Sequence, residues 1–204
     1  MKISILLPYK ENFSPIYAGA VSLFVKDTVK ISKYKNNITI YGNTNLKRIY
    51  NLKYSNLDLK KDLLASQSKT YVDRFIDEET KNKSDIIEVH NRPIYIKYLI
   101  NEKVDSSFVL YFHNDPLSMT GSKTINDRKL LLSKCEKIIF NSQWSKKRFL
   151  QDIKSSYINS DKLLVIYQSA KKSKINETKK LKWITFVGKL NRSKGYDIYG
   201  NAVC

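Results

Sequence analysis

Short, uninterrupted apolar runs recur along this chain, with segments of helical spacing between them. A strand buried on both faces reads as a continuous Val/Ile/Leu/Phe run, whereas a half-exposed antiparallel strand alternates with polar residues. The runs here are of the first kind: Lys2–Pro8 (KISILLP), Ile38–Tyr41, Asp85–His90, Ser107–His113, Lys137–Phe140 and Lys162–Tyr167. Ser14–Lys35, Leu59–Lys83, Pro93–Glu102, Thr124–Cys135 and Ser142–Ile153 carry the helical patterns, with Pro93 near a first turn and Ser142 as an N-cap. Asn45–Leu57 is ambiguous and has room for a short strand near Tyr50–Tyr54. This alternation predicts an α/β fold, a doubly wound, mainly parallel Rossmann-like sheet over residues 1–168.

Residues 169–182 are lysine-rich and nearly free of apolar side chains, and predict a basic interdomain linker. Beyond it the β-branched run Ile184–Val187 ends in Gly188, a basic loop follows, and Lys194-Gly195 opens a helix. Strand, basic loop and helix N-terminus together form an anion site, because free backbone N–H groups and the positive end of the helix dipole converge on the ligand. Gly188, Lys189, Lys194 and Gly195 are the candidate phosphate-binding residues. Residues 183–204 then read as the first β-loop-α of a second, truncated Rossmann-like domain, which should leave apolar surface exposed on Trp183–Leu190.

The net charge of +18 invites a nucleic-acid partner, but of 37 basic residues only Arg48, Arg74, Arg92, Arg128, Arg148 and Arg192 are arginine. Lysine is the poorer residue for bidentate phosphate or base recognition. Lys, Asn and Ile are all abundant and share A/T-rich codons, so much of the charge is compositional. Cys135 and Cys204 show neither a CxxC nor a metal spacing with the two histidines, which fits a reducing cytoplasm. Met1-Lys2 leads straight into a strand, no signal peptide is evident, and no run approaches the roughly 18 apolar residues of a membrane span. The expected location is cytoplasmic, at most peripheral on the inner face of a membrane.

Open parallel sheets bind ligands beyond the carboxyl ends of their strands. Both histidines fall there: His90 ends one run and precedes Asn91-Arg92, and His113 ends the next and precedes Asn114-Asp115. Each could be structural, but their equivalent positions point to a shared site. Ala18-Gly19-Ala20 after the first strand would let backbone approach a phosphate or pack a helix closely. Pro116–Thr124 reads either as a loop able to move over a cleft or as an ordinary connection. No G-x-G-x-x-G fingerprint, Walker A motif, G-x-S-x-G elbow or Asp-x-Asp pair occurs, which disfavours dehydrogenase, P-loop, esterase and metal-bound sugar-nucleotide chemistry.

Taken in order, Ala18-Gly19-Ala20, Tyr111-Phe112-His113 with Asn114-Asp115-Pro116, Cys135–Lys147 and Gly188–Gly195 resemble the GT-B glycosyltransferases, family 4, the retaining enzymes. The last segment is similar to their G-R-x-x-x-x-K-G phosphate loop. Position 189 is Lys where the family has Arg, Ala18 replaces the first glycine of the usual pair, and the E-x7-E element has no counterpart before Cys204. The resemblance implies the N-terminal portion of such an enzyme, inactive alone, with an acceptor-side domain and the start of a donor domain. It implies His113 at the transferred sugar, Gly19, Gly188, Lys189, Lys194 and Gly195 at the donor phosphates, and His90, Asn91, Arg92, Asn114 and Asp115 on the acceptor side. The implied partners are a nucleotide-sugar and a glycan or lipid-linked acceptor, such as one of a surface polysaccharide or lipopolysaccharide pathway, with no metal, no cofactor and no nucleic acid. A non-catalytic basic module for nucleic acid or an anionic membrane surface is the alternative.

Overall fold

The structure, a computed structural model, describes residues 1–59, 66–169, 182–188, 190 and 192–203. They belong to two compact units, Met1–Gln168 and Ser169–Cys204. Most of the expected linker, and Lys189, lie outside the described residues.

Among its described residues the first unit is built on seven strands: β1 (Ile3–Leu6), β2 (Ile38–Gly42), β3 (Tyr54–Asn56), β4 (Ile86–His90), β5 (Ser107–Phe112), β6 (Cys135–Phe140) and β7 (Leu163–Val165). They form one sheet in the order β3-β2-β1-β4-β5-β6-β7, and every neighbouring pair is parallel. The helices are α1 (Ala20–Ile31), α2 (Gln67–Lys81), α3 (Pro93–Asn101), α4 (Ile125–Lys134) and α5 (Gln143–Leu150). This is the doubly wound parallel α/β sheet that the apolar runs predict.

Alternate residues of a strand face opposite sides, so each strand feeds two cores. Ile3, Ile5, Ile38 and Ile40 pack against Val21, Val25 and Val29 of α1. Ile87, Val89, Leu110, Phe112, Ile138 and Phe140 pack on the other side with Phe75 of α2, Tyr95 and Leu99 of α3, Leu131 of α4 and Phe149 of α5. Each such side chain contributes roughly 1.5–3 kcal/mol on burial, so sheet and helices are mutually dependent. The chain order reverses between β1 and β4, which creates a crevice at their carboxyl ends.

Helix boundaries follow local chemistry. The expected helix from Ser14 begins only at Ala20, after Pro15 and a left-handed Tyr17 (φ 57°). Helix α4 starts at a capping box of Thr124 and Asp127, and Ser142 caps α5 by accepting from the Ser145 N–H. The long helix expected from Leu59 is observed from Gln67, capped by Ser66, while residues 60–65 lie outside the described residues. The short strand forms at Tyr54–Asn56, where it pairs with β2, rather than at Tyr50–Tyr54. Residues 116–124 form an anchored connection: Ser122 is buried with its hydroxyl donating to the carbonyls of Pro116 and Met119. Gly121 (φ 96°) lies so close to α3 that a Cβ would meet the Ile94 nitrogen at 2.4 Å.

In the second unit, α6 (Tyr196–Val203) forms as expected, and Gly195, at φ 73°, accepts from the Tyr199 N–H through its carbonyl at 2.9 Å. The strand expected at Ile184–Val187 does not form. A strand satisfies its backbone only through a neighbour, and the described residues of this unit contain no second strand. The run is held instead by Phe186, which packs on Tyr196 and Tyr199, and by the Tyr199 hydroxyl donating to the Ile184 carbonyl. Trp183 and Val187 are 78% and 91% exposed, the apolar surface expected of this segment.

Candidate functional site

The carboxyl ends of β4 and β5 are hydrogen-bonded neighbours, with His90 in register with Tyr111. Their rings stack at 4.4 Å, and His113, two residues beyond Tyr111, emerges on the same face. Phe24 of α1 meets the His113 ring edge-on at 5.2 Å. The two histidines therefore share one edge of the sheet, and they touch: His90 Nδ1 lies 3.0 Å from His113 Nε2. His113 Nδ1 is 2.7 Å from the side-chain amide nitrogen of Gln168.

Electrostatics follow from burial. His90 is almost fully buried, and its Nε2 has no hydrogen-bond partner among the described residues. Glu88, on the same face of β4, places a carboxylate oxygen 3.6 Å away, beyond hydrogen-bonding range. Burial, and secondarily the neighbouring His90, pushes the His113 pKa down to about 3. His113 is thus a neutral imidazole near neutrality, able to exchange hydrogen bonds but not to carry a positive charge to a phosphate.

The neighbouring candidates divide. Asn91 is buried with a left-handed backbone (φ 56°), and its side-chain oxygen accepts from the His113 N–H at 3.2 Å. It fastens the histidine-bearing turn rather than facing solvent. Arg92 donates to the Asn91 carbonyl at 2.9 Å, and Asp115 accepts from the Leu117 N–H and faces Arg148 at 3.4 Å. Asn114 is exposed beside them. Asn141, after β6, donates to the His113 carbonyl at 2.8 Å.

Gly19 lies at the N-terminus of α1, on the switch-point side of β1, but its open space is already filled. A Cβ there would fall 2.2 Å from a carboxylate oxygen of Glu11, and that oxygen accepts from the Ser22 N–H at 2.9 Å. An internal carboxylate thus occupies the helix terminus, which accounts for the glycine. Glu11 and Gln168 were not legible as site residues, because neither belongs to a motif and both meet their partners only through folding. Gly188, Lys194 and Gly195 belong to the second unit, where a Cβ on Gly188 would stand 3.9 Å from the Lys194 Cβ.

Phe24, Tyr111, His113, Asn141 and Gln168 line a cavity of about 10 Å³, room for at most one water molecule. A larger groove, about 670 Å³, lies between Lys26, Lys30, Lys35, Arg48 and Tyr50. Among the described residues no group of three or more His, Cys, Asp or Glu could hold a metal ion, and no helix is long and apolar enough to cross a membrane.

No protein-family model matches the chain, and no curated protein sequence matches it. Solved structures do match. HepE of Anabaena, in complex with UDP and glucose, superposes with a TM-score of 0.56 at 16% identity, over 83% of this chain and 45% of its own. The lipopolysaccharide outer core galactosyltransferase WaaB gives 0.57 at 13% identity, over 86% of this chain and 48% of its own. A UDP-N-acetylglucosamine 2-epimerase gives 0.53 at 11% identity, over 81% of this chain and 48% of its own. The chain thus spans about half the length of these proteins, and its first unit has the Rossmann-like architecture of the GT-B fold.

Proposed function

We propose that this chain forms the acceptor-side domain and the opening of the donor domain of a retaining, metal-independent family 4 glycosyltransferase. It would move a sugar from a nucleotide-sugar to a glycan or lipid-linked acceptor. The observation that carries this reading is the contact between His90 and His113 at the carboxyl edge of a GT-B-type sheet. The glycosyltransferases among the structural neighbours, and UDP and glucose bound to HepE, support a nucleotide-sugar donor.

On this reading Lys194 and Lys189, with Gly188 and Gly195 giving close backbone approach, stabilise the diphosphate as it leaves, by charge aimed at where charge develops. His113, held neutral by burial, orients the transferred sugar through a hydrogen bond. Arg92, Asn114 and Asp115 stand beside it on the acceptor side. The groove bearing Lys26, Lys30, Lys35 and Arg48 suits an anionic acceptor or a membrane surface.

The test is turnover by the full reading frame that encodes this chain, offered UDP-, GDP- and ADP-sugars and read as nucleoside diphosphate release. One donor should be consumed at a rate unchanged by EDTA. Failure to bind or consume any nucleotide-sugar would refute the reading.

A further inference from the structure

A row of polar atoms runs inward from the mouth of the site: the Gln168 amide, His113 Nδ1, His113 Nε2, His90 Nδ1, His90 Nε2 and the Glu88 carboxylate. A neutral imidazole carries one N–H and one lone pair, so fixing the proton on either histidine fixes it on the other. With both rings neutral, two directions are possible. In the first, Gln168 donates to His113 Nδ1, His113 Nε2–H donates to His90 Nδ1, and His90 Nε2–H points at Glu88. In the second every bond is reversed, which needs the Gln168 amide turned to set its oxygen rather than its nitrogen at His113 Nδ1, and a bare His90 lone pair faces the carboxylate.

Glu88 decides between them. Its oxygen is 3.6 Å from His90 Nε2, too far for a hydrogen bond but close for an electrostatic preference, since the His90 ring is buried although the carboxylate itself is part-exposed. An N–H directed at the carboxylate is attracted, and a lone pair is repelled. The stacked Tyr111 ring and the edge of Phe24 limit the tilt of the two imidazoles, so the chain cannot reverse by turning a ring out.

We propose that His90 is a positioning residue which, biased by Glu88, holds His113 as its Nε2–H tautomer, so that His113 presents a hydrogen-bond acceptor, Nδ1, to the site. Gln168 is the resident donor on that acceptor. With it in place the cavity has room for about one water, so a ligand must displace the amide to reach His113. The incoming group must itself be a donor. A hydroxyl qualifies, whereas a phosphate oxygen or a carbonyl does not. The hydroxyl assignment rests on the glycosyltransferase reading; the tautomer and the two positioning residues do not.

The tautomer is read directly by long-range proton–nitrogen NMR on this chain labelled at histidine, which has only two histidines to assign. His113 should show a protonated Nε2 and a bare Nδ1. Glu88→Gln removes the charge with little change of shape and, at a part-exposed site, little risk to folding; it should move His113 measurably toward the Nδ1–H form. His90→Phe keeps a ring on Tyr111 but removes the acceptor and should do the same. Wild-type His113 protonated on Nδ1, or an Nε2–H population untouched by Glu88→Gln, would overturn the proposal. In the full reading frame, Gln168→Ala should lower KM for the donor by about 2–10-fold, the scale of releasing one neutral hydrogen bond. The expected tautomer with an unchanged KM would instead remove the sugar from His113, a failure of the functional reading alone.

Discussion

His90 Nδ1 and His113 Nε2 stand 3.0 Å apart, although 23 residues and a strand–helix–strand crossover separate them. The contact follows from the parallel pairing of β4 with β5, which sets His90 beside Tyr111 and leaves His113 one step further along the same face. Burial, and secondarily the neighbouring His90, hold the His113 ring neutral, and that has a thermodynamic signature.

Acid should weaken the fold through His113. Its folded pKa is about 3 against 6.5 for an ordinary histidine, so the unfolded chain takes up the proton first. This stabilisation is complete above pH 6.5 and is lost as pH falls from there toward 3, with a slope of at most about 1.4 kcal/mol per pH unit. Urea melts across that window should show a shallower pH slope in His113→Gln than in the wild type. Equal slopes would mean that His113 is solvated.

Two glycines should respond differently to alanine. At Gly19 the added methyl meets only the flexible end of Glu11, and the expected loss is about 1 kcal/mol, the value of the helix-terminal contact with Ser22. That loss should shrink in a Glu11→Ala background. At Gly121 the methyl meets the Ile94 backbone and the backbone is left-handed (φ 96°), so the loss should exceed roughly 2 kcal/mol. Denaturant midpoints of the three single variants and of the Glu11→Ala/Gly19→Ala double variant check both.

Cys135 should be inert. It opens β6 fully buried, and burial pushes its thiol up to about 12, with Lys162 offsetting only part. Iodoacetamide at neutral pH should leave the Cys135 peptide unmodified in the folded protein and label it in denaturant. Rapid labelling of the Cys135 peptide in folded protein would contradict the packing of β6 against β5.

How far the sequence reaches can be read from these same residues. Val89, Leu110, Phe112 and Phe140 belong to continuous apolar runs, and such runs specify buried parallel strands wherever a partner exists. Ile184–Val187 has the same composition and forms no strand, because composition supplies the propensity and only a neighbour supplies the hydrogen bonds. The edge position of His90 and His113 was legible from where their runs end. Their mutual contact, the Gln168 amide on His113 and the Glu11 carboxylate beside Gly19 were not, since each pairs residues distant in sequence. Asn91 and Asp115 lie in the expected place, yet their side chains are engaged with the local backbone.

The most direct test of the proposed chemistry is steady-state transfer by the full reading frame, measured for wild type, Lys194→Ala and His113→Ala, each with and without EDTA. Lys194→Ala should lower kcat by roughly 10²–10³-fold, the cost of one preorganised contact to a developing anion. His113→Ala should lower kcat more than it raises the donor KM, and EDTA should change little in any of the three. Full activity in Lys194→Ala, or strict dependence on a divalent metal, would contradict electrostatic departure of a nucleotide from the Gly188–Gly195 loop.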